Sequence, residues 1–345
     1  MPPWCQWFLG DRIRGRVDRS GLEFEAILPL LPHSAGRIRR SALERSEGVE
    51  AIGERDRPAS CTPLFPAPTG VERLFRRILG GRRQWRLGRL SSDPFRSGRV
   101  EVEPLCPLRG GHRADPFWIR HDDRDWLLFE EELPGDRGRL RIAEFAEGDW
   151  RVLEGEILER SHHLSWPNVF ELDGRLLLLP ETGSAGEVVL FESEEFPFRW
   201  RKVRTLLAGR PWHDPCLLRH EGLWWLFASP GGGDPRDHSA ELRAFWARDL
   251  FVDEFRPHAL NPPSLSVCGA RPAGAPFLHE GTWHRPVQDC RGGYGSGILV
   301  QRIDRLSPGE WAETTVAHLL PPEGATGLHT LNRFPDGGWV VDFLS

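Results

Sequence analysis

The sequence predicts an all-β protein: a five-bladed β-propeller with a short, irregular to helical N-terminal extension. Three observations lead there: a phrase that returns along the chain, short alternating strands separated by turn residues, and scarce helical patterning over most of the length. In the phrase, a polar residue beside proline opens an apolar strand, a turn of Asp, Gly or His follows, and a Trp/Leu-rich strand returns. It reads Asp115-Pro116-Phe117-Trp118-Ile119 into Trp126-Leu127-Leu128-Phe129, then Trp166-Pro167-Asn168-Val169-Phe170 into Leu176-Leu177-Leu178-Leu179. It continues as His213-Asp214-Pro215-Cys216 into Leu223-Trp224-Trp225-Leu226-Phe227, and as Ala270-Arg271-Pro272-Ala273-Gly274 into Thr282-Trp283-His284-Arg285. A last echo, His329-Thr330-Leu331-Asn332 into Trp339-Val340-Val341-Asp342, lacks the proline. The period is roughly 50 residues, the size of one four-stranded blade. Five echoes correspond to five blades.

Residues 1–95 read as the extension and 96–345 as the propeller. The extension is rich in Arg, Pro and Gly; its best helix, Val71 to Leu79, is basic, amphipathic and stopped by Gly80-Gly81, as a surface helix would be. Gln84 to Leu90 reads as a strand that completes a blade by pairing with the C-terminal segment, a closure that removes exposed strand edges. The stretches Leu133 to Gly138 and Gly183 to Gly186 read as loops between strands. Gly231-Gly232-Gly233-Asp234-Pro235 lacks the following helix that a phosphate-cradling loop needs, and reads as a loop near the propeller mouth.

With 345 residues, 39% hydrophobic, the chain can bury one large core, or a core and a small appendage. No apolar run approaches the roughly 20 residues of a membrane span. Met1 to Gly10 has no basic segment leading into a long apolar one, so a cytoplasmic location is expected. Six cysteines with no Cys-x-x-Cys pair argue against a zinc ribbon or a disulfide scaffold. Lys202 is the only lysine, and together with one Met and one Tyr this skew fits nucleotide bias in a GC-rich genome better than phosphate recognition. The net charge of -5 gives no electrostatic footprint for nucleic acid.

In a propeller the innermost strand of each blade runs along the central channel, so residues at its start converge on one mouth. The start positions here are Asp115, Asn168, Asp214, Arg271 and His329, polar groups suited to a polyhydroxylated ligand. Glycosidic cleavage needs one carboxylic acid to protonate the leaving oxygen and a second carboxylate to activate water or attack. The candidates are Asp115 as base, Glu181 as acid and Asp214 as the group that orients substrate or tunes the acid, with Glu130, Asp289 and Asp342 in reserve. Arg271 and Arg285 are suited either to clamping an oxyanion or to structural ion pairs. Trp166 and Trp212 are the candidates for stacking on a sugar, and Tyr294 sits in a loop beside the mouth. His329 is read at the fifth blade's channel position, contacting ligand or holding a water or metal in the pore, or else as a structural histidine; no metal site and no cofactor are assigned. Asp123-Arg124-Asp125 matches the Asp-x-Asp pattern of nucleotide-sugar transferases but falls in the first hairpin turn.

The stretches Ala114-Asp115-Pro116-Phe117, Leu164 to Glu171, Pro180-Glu181-Thr182, Ala270 to Gly274, Arg285-Pro286-Val287-Gln288-Asp289-Cys290 and His329 to Asn332 resemble the N-terminal domain family of glucosamine inositolphosphorylceramide transferases. The resemblance runs over roughly residues 85–345, and places Gln288 and Asp289 with the ligand-contacting residues. In the plant proteins that give the family its name a C-terminal glycosyltransferase domain follows; this chain is expected to lack it. The family's propeller is similar to that of glycoside hydrolases acting on arabinans and fructans, in which three carboxylates surround the sugar and an Asp-Pro step supplies a base or nucleophile. Asp115-Pro116 matches that step, whereas Asn168 stands where a carboxylate is expected. The implied function is a carbohydrate-active propeller working on a glycan or glycoconjugate by carboxylate acid/base chemistry. The alternatives are a non-catalytic glycan-recognition module supporting a separate glycosyltransferase in glycan or glycolipid assembly, and a protein-interaction propeller.

Overall fold

The computed structural model describes residues 83–105, 112–132, 137–231, 239–334 and 337–345, together with the strand pair Arg16–Val17 and Leu22–Glu23. The chain divides into two units, Met1–Arg82 with Gly233–Asp237, and Arg83–Gly232 with His238–Ser345. The second unit is the five-bladed propeller. The helix expected at Val71 to Leu79, most of the loops at Leu133 to Gly138 and Gly231 to Pro235, and Cys5, Cys61 and Cys106 lie outside the described residues.

The first blade runs from the axis outward as His112–His121, Arg124–Glu132, Gly138–Ala146 and Asp149–Val152; the second as Ser165–Leu172, Arg175–Glu181, Glu187–Glu195 and Arg199–Ala208. The third is Trp212–His220, Leu223–Pro230, Glu241–Ala247 and Arg256–Pro257, and the fourth Cys268–Pro272, Thr282–Asp289, Gly297–Ser307 and Glu310–Leu320. Gly327–Arg333 and Trp339–Leu344 begin the fifth, and Trp85–Leu90 and Val102–Pro104 complete it. The closing strand expected at Gln84 to Leu90 therefore pairs antiparallel with the C-terminal strand, from Val340 opposite Arg89 to Leu344 opposite Trp85. Gly98–Arg99 adds a parallel strand to the outer edge of the fourth blade. The sheet of the propeller thus takes in residues ahead of position 96.

Two-residue hairpins join inner strands to their partners, in the fourth blade through the short strand Phe277–His279 that follows Cys268–Pro272. Asp122-Asp123, Asp173-Gly174, Glu221-Gly222 and Glu280-Gly281 all have positive φ at both positions, as the twist-matched hairpin turn requires. Asp123-Arg124-Asp125 accordingly starts in such a turn. Large apolar side chains fill the wedges between blades: Leu177, Leu190, Trp212 and Leu226 between the second and third, and Phe277, Val300, Leu331 and Trp339 between the fourth and fifth.

Every innermost strand breaks register at the same height, between Ala114 and Phe117, Ser165 and Asn168, His213 and Cys216, Cys268 and Pro272, and Leu328 and Leu331. At three of these breaks a non-glycine residue before proline takes the left-handed conformation: Asp115 (φ +52°), Trp166 (φ +54°) and Asp214 (φ +51°). Proline has no N–H to give to a ladder, so it sits where the ladder is interrupted. The left-handed residue costs about 1–2 kcal/mol, most conspicuously at a tryptophan. These positions are equivalent, so it is Trp166, not Asn168, that stands in the second blade where Asp115 and Asp214 stand in the first and third.

Candidate active site at the propeller mouth

The breaks turn Asp115, Asp214, Arg271 and His329 into one polar cluster. The Asp115 carboxylate accepts hydrogen bonds from the Trp166 N–H (3.2 Å) and the Thr330 hydroxyl (3.1 Å), and lies 3.3 Å from Nε2 of His329. The other ring nitrogen of His329, Nδ1, is 2.7 Å from Asp342, which also accepts the Asp115 N–H at 2.9 Å. Burial alone would lower the His329 pKa, but Asp342 and Asp115 outweigh it and lift the imidazole to about 10. Asp115, His329 and Asp342 place one donor atom each within 4.8 Å of one another, with the imidazole between the two carboxylates. The trio is an ion-paired triad.

On the opposite blades, Arg271 grips Asp214 with two bonds, Nε to Oδ2 at 2.5 Å and Nη2 to Oδ1 at 3.2 Å, and Gln288 reaches the same carboxylate at 3.4 Å. Glu181 accepts the Asp214 N–H at 3.0 Å and lies 2.8 Å from Nδ1 of His213. Burial pushes Glu181 up, but His213, Arg271 and that N–H outweigh it and hold the acid down to about 2. Asp214 goes the other way: burial lifts it against the pull of Arg271, the charges of Glu181 and Asp115 add to the lift, and its pKa reaches about 7.

A second tier of acids comes from the adjacent strands. Glu130 lies opposite Ala114, Glu181 opposite Ser165, Ser229 opposite His213 and Asp289 opposite Cys268, so equivalent positions beside the breaks hold an acid in three blades. Glu130 is pushed well above the ordinary carboxylate range by burial first, then by the charges of Asp115 and Glu181. Nδ1 of His163 accepts the Gly138 N–H at 3.0 Å, which leaves the ring hydrogen on Nε2, 3.2 Å from Glu130 Oε1. Burial thus favours the protonated form of Glu130, whereas the partners of Glu181, expected to be the acid, favour its ionised form. The signal was present: Glu130 and Glu181 end matching apolar runs, Trp126-Leu127-Leu128-Phe129 and Leu177-Leu178-Leu179-Pro180. Glu130 also lies with His112 and Glu132 in a second group whose donor atoms fall within 4.8 Å of one another.

Several expected ligand contacts are engaged elsewhere. Trp166 is fully buried and donates its indole N–H to the Pro215 carbonyl at 3.0 Å, while Asn168 reaches the same carbonyl at 3.4 Å; both latch the second blade to the third. Trp212 packs in the wedge between those blades, edge-on to Phe245. Arg285 is 0% exposed and bound to Glu313 at 2.8 and 2.9 Å, so it braces the fourth blade and clamps no oxyanion at the mouth. Asp289 is held by Arg291 (2.7 Å) and lies 3.0 Å from His318, two partners that keep it below the usual carboxylate range against the effect of burial.

His329 contributes stability that is complete below the ordinary imidazole value and lost as pH rises through about 10. Asp214, pushed up to about 7, acts in the same direction. The Asp214 share is lost mostly between pH 3.8 and about 7 and the His329 share between 6.5 and about 10, so the melting temperature is expected to fall from pH 7 to 10, and most of that fall to vanish in His329→Gln. A wild-type melting temperature that is flat or rising over this range would contradict the triad.

Residues 109–328 match the family model described as glucosamine inositolphosphorylceramide transferase 1, N-terminal. The chain belongs to this family. Within the glucosamine inositolphosphorylceramide transferase 1 N-terminal family, it is 32% identical over 255 residues to the rice (Oryza sativa subsp. japonica) glucosamine inositolphosphorylceramide transferase 1, covering 68% of this chain and 34% of that protein. It is 32% identical over 209 residues to the Arabidopsis thaliana protein of the same name, covering 59% of this chain and 27% of the relative. The chain thus spans about a third or less of these relatives' length. Among solved structures, CoXyl43, a GH43 β-xylosidase/α-arabinofuranosidase from a compost microbial metagenome, superposes with a TM-score of 0.50 at 12% identity, over 68% of this chain and 87% of that one. At that identity the likeness is one of fold.

Proposed function

We propose that the mouth is a glycan-processing centre working by carboxylate acid/base chemistry. Glu130 carries the proton delivered to the glycosidic oxygen, and Asp115 is the carboxylate that activates water or attacks the anomeric carbon. Asp214, Arg271 and Glu181 hold hydroxyl groups of the ring. The observation that carries this reading is the convergence of these carboxyls at one mouth, where burial and then the negative charge of the neighbouring Asp115 push Glu130 up. Environments that separate the protonation of adjacent carboxyls mark an acid and a base. The family's association with glycoconjugate assembly and the hydrolase-type fold agree in class.

A panel of 4-nitrophenyl glycosides of arabinofuranose, xylose, galactose and N-acetylglucosamine, assayed with the intact chain and with Asp115→Asn, tests the reading. Release of nitrophenol by the wild type, falling about 10²- to 10⁴-fold in the variant, is the expected outcome. Equal rates in both would remove Asp115 from the chemistry.

Two observations favour a second reading, a recognition module serving a separate glycosyltransferase. Trp166 occupies the second-blade position that carries aspartate in the first and third blades, and both oxygens of Asp214 are taken by Arg271. This reading expects saccharide binding without turnover on any glycoside.

A further inference from the structure

The loop joining Thr282–Asp289 to Gly297–Ser307 carries the chain's one tyrosine to the mouth. The Tyr294 ring lies over the Arg271 guanidinium, 4.9 Å from Cζ to the ring centroid, and its centroid is 5.2 Å from that of His329. Trp85 packs on the same imidazole with its ring inclined by 38° at 4.1 Å and meets Tyr294 edge-on at 6.4 Å. Tyr294 therefore bridges the two cations that hold Asp214 and Asp115, yet it is 47% exposed, whereas Trp166 and Trp212 are 0% and 5% exposed.

The loop is built to hold this ring in place. The Ser296 hydroxyl donates to the Asp289 carbonyl at 2.7 Å, the Ser296 N–H to the Gly293 carbonyl at 3.2 Å, and the Leu328 N–H to the Gly295 carbonyl at 2.7 Å. Gly295 has φ +62°, and a Cβ there would lie 2.7 Å from the His329 Cβ, so the loop is pressed directly against the fifth blade. An aromatic ring held open beside a cluster of hydrogen-bonding groups suits the C–H face of a sugar. Arg271 and His329, the cations nearest the ring, are already engaged by carboxylates. Among the described residues, an added anionic group would face Asp115, Glu181 and Asp214, with Arg271 and His329 already committed to carboxylates.

We propose that Tyr294 is the platform on which the mouth receives a sugar ring, and that this ring bears no anionic substituent. The inference rests on the carbohydrate reading above and names the residue and ligand class that reading leaves open. Titration of the intact chain with xylotriose, chitotriose, galactotriose and trigalacturonate, followed by tryptophan fluorescence, tests it alongside Tyr294→Phe, Tyr294→Leu and Tyr294→Ala. The wild type is expected to bind at least one neutral trisaccharide at least about tenfold more tightly than trigalacturonate. Tyr294→Phe should keep that affinity within about threefold, and the Leu and Ala variants should each lose about tenfold or more with an unchanged melting temperature. Wild-type affinity in Tyr294→Leu, or equal binding of trigalacturonate, overturns the platform alone. A wild type that binds no saccharide overturns the carbohydrate reading and the platform with it.

Discussion

Glu130→Gln is expected to cut glycosidic turnover by about 10²- to 10⁴-fold while leaving saccharide binding within a few-fold. The amide has the shape of the protonated acid and can still accept a hydrogen bond from His163 Nε2, so the fold has little reason to respond. What disappears is the transferable proton. Because burial and the charges of Asp115 and Glu181 push Glu130 up, the wild type should keep its acid protonated beyond the ordinary carboxylate range and lose activity only as pH rises through the shifted value. Residual turnover of the variant should lack that alkaline limb. A pH–rate profile that retains the limb in Glu130→Gln, or unchanged turnover, would assign the proton to another group.

Glu313→Gln is expected to destabilise the propeller by about 3–5 kcal/mol in urea unfolding. Arg285 is fully buried, and its Nε and Nη2 bond Glu313 at 2.8 and 2.9 Å while Nη2 also bonds the Gly269 carbonyl at 3.0 Å. Removing the carboxylate leaves a guanidinium charge in the sheet with only carbonyl dipoles to face it. The double substitution Arg285→Met with Glu313→Leu removes both charges and should recover more than half of the loss, since an apolar pair of similar volume avoids desolvating either ion. A loss below about 1 kcal/mol for Glu313→Gln would mean that water reaches the pair. Gly269 lies in the fourth-blade break that leads into Arg271, so the single variant should also weaken ligand binding at the mouth.

The propeller was legible because it is written in local terms. Alternating apolar residues, Asp-Gly and Glu-Gly hairpins and a proline beside each of the first four breaks recur at a steady period, and the spare strand at Trp85–Leu90 had one edge to join. Asp115, Asp214, Arg271 and His329 followed from the same repeat, because strand starts point to the channel. Asn168 was aligned by its polarity, whereas the backbone aligns by the proline, which puts Trp166 at the break and turns Asn168 toward the Pro215 carbonyl. A bulge adds a residue to one strand only, so the position of the break is set by backbone pairing and by the proline, not by residue polarity.

The order of strands, the blade count and the identity of most mouth residues are properties of the chain read in one dimension, since each depends on residues within one repeat. The protonation of Glu130, the ionisation of Glu181 and the pairing of Arg285 with Glu313 depend on charges and burial supplied by other strands and other blades. His329 and Asp115 are 214 positions apart in the chain and 3.3 Å apart in the fold. Coulomb energy depends on distance through space and on the local dielectric, and neither is defined until the ring closes.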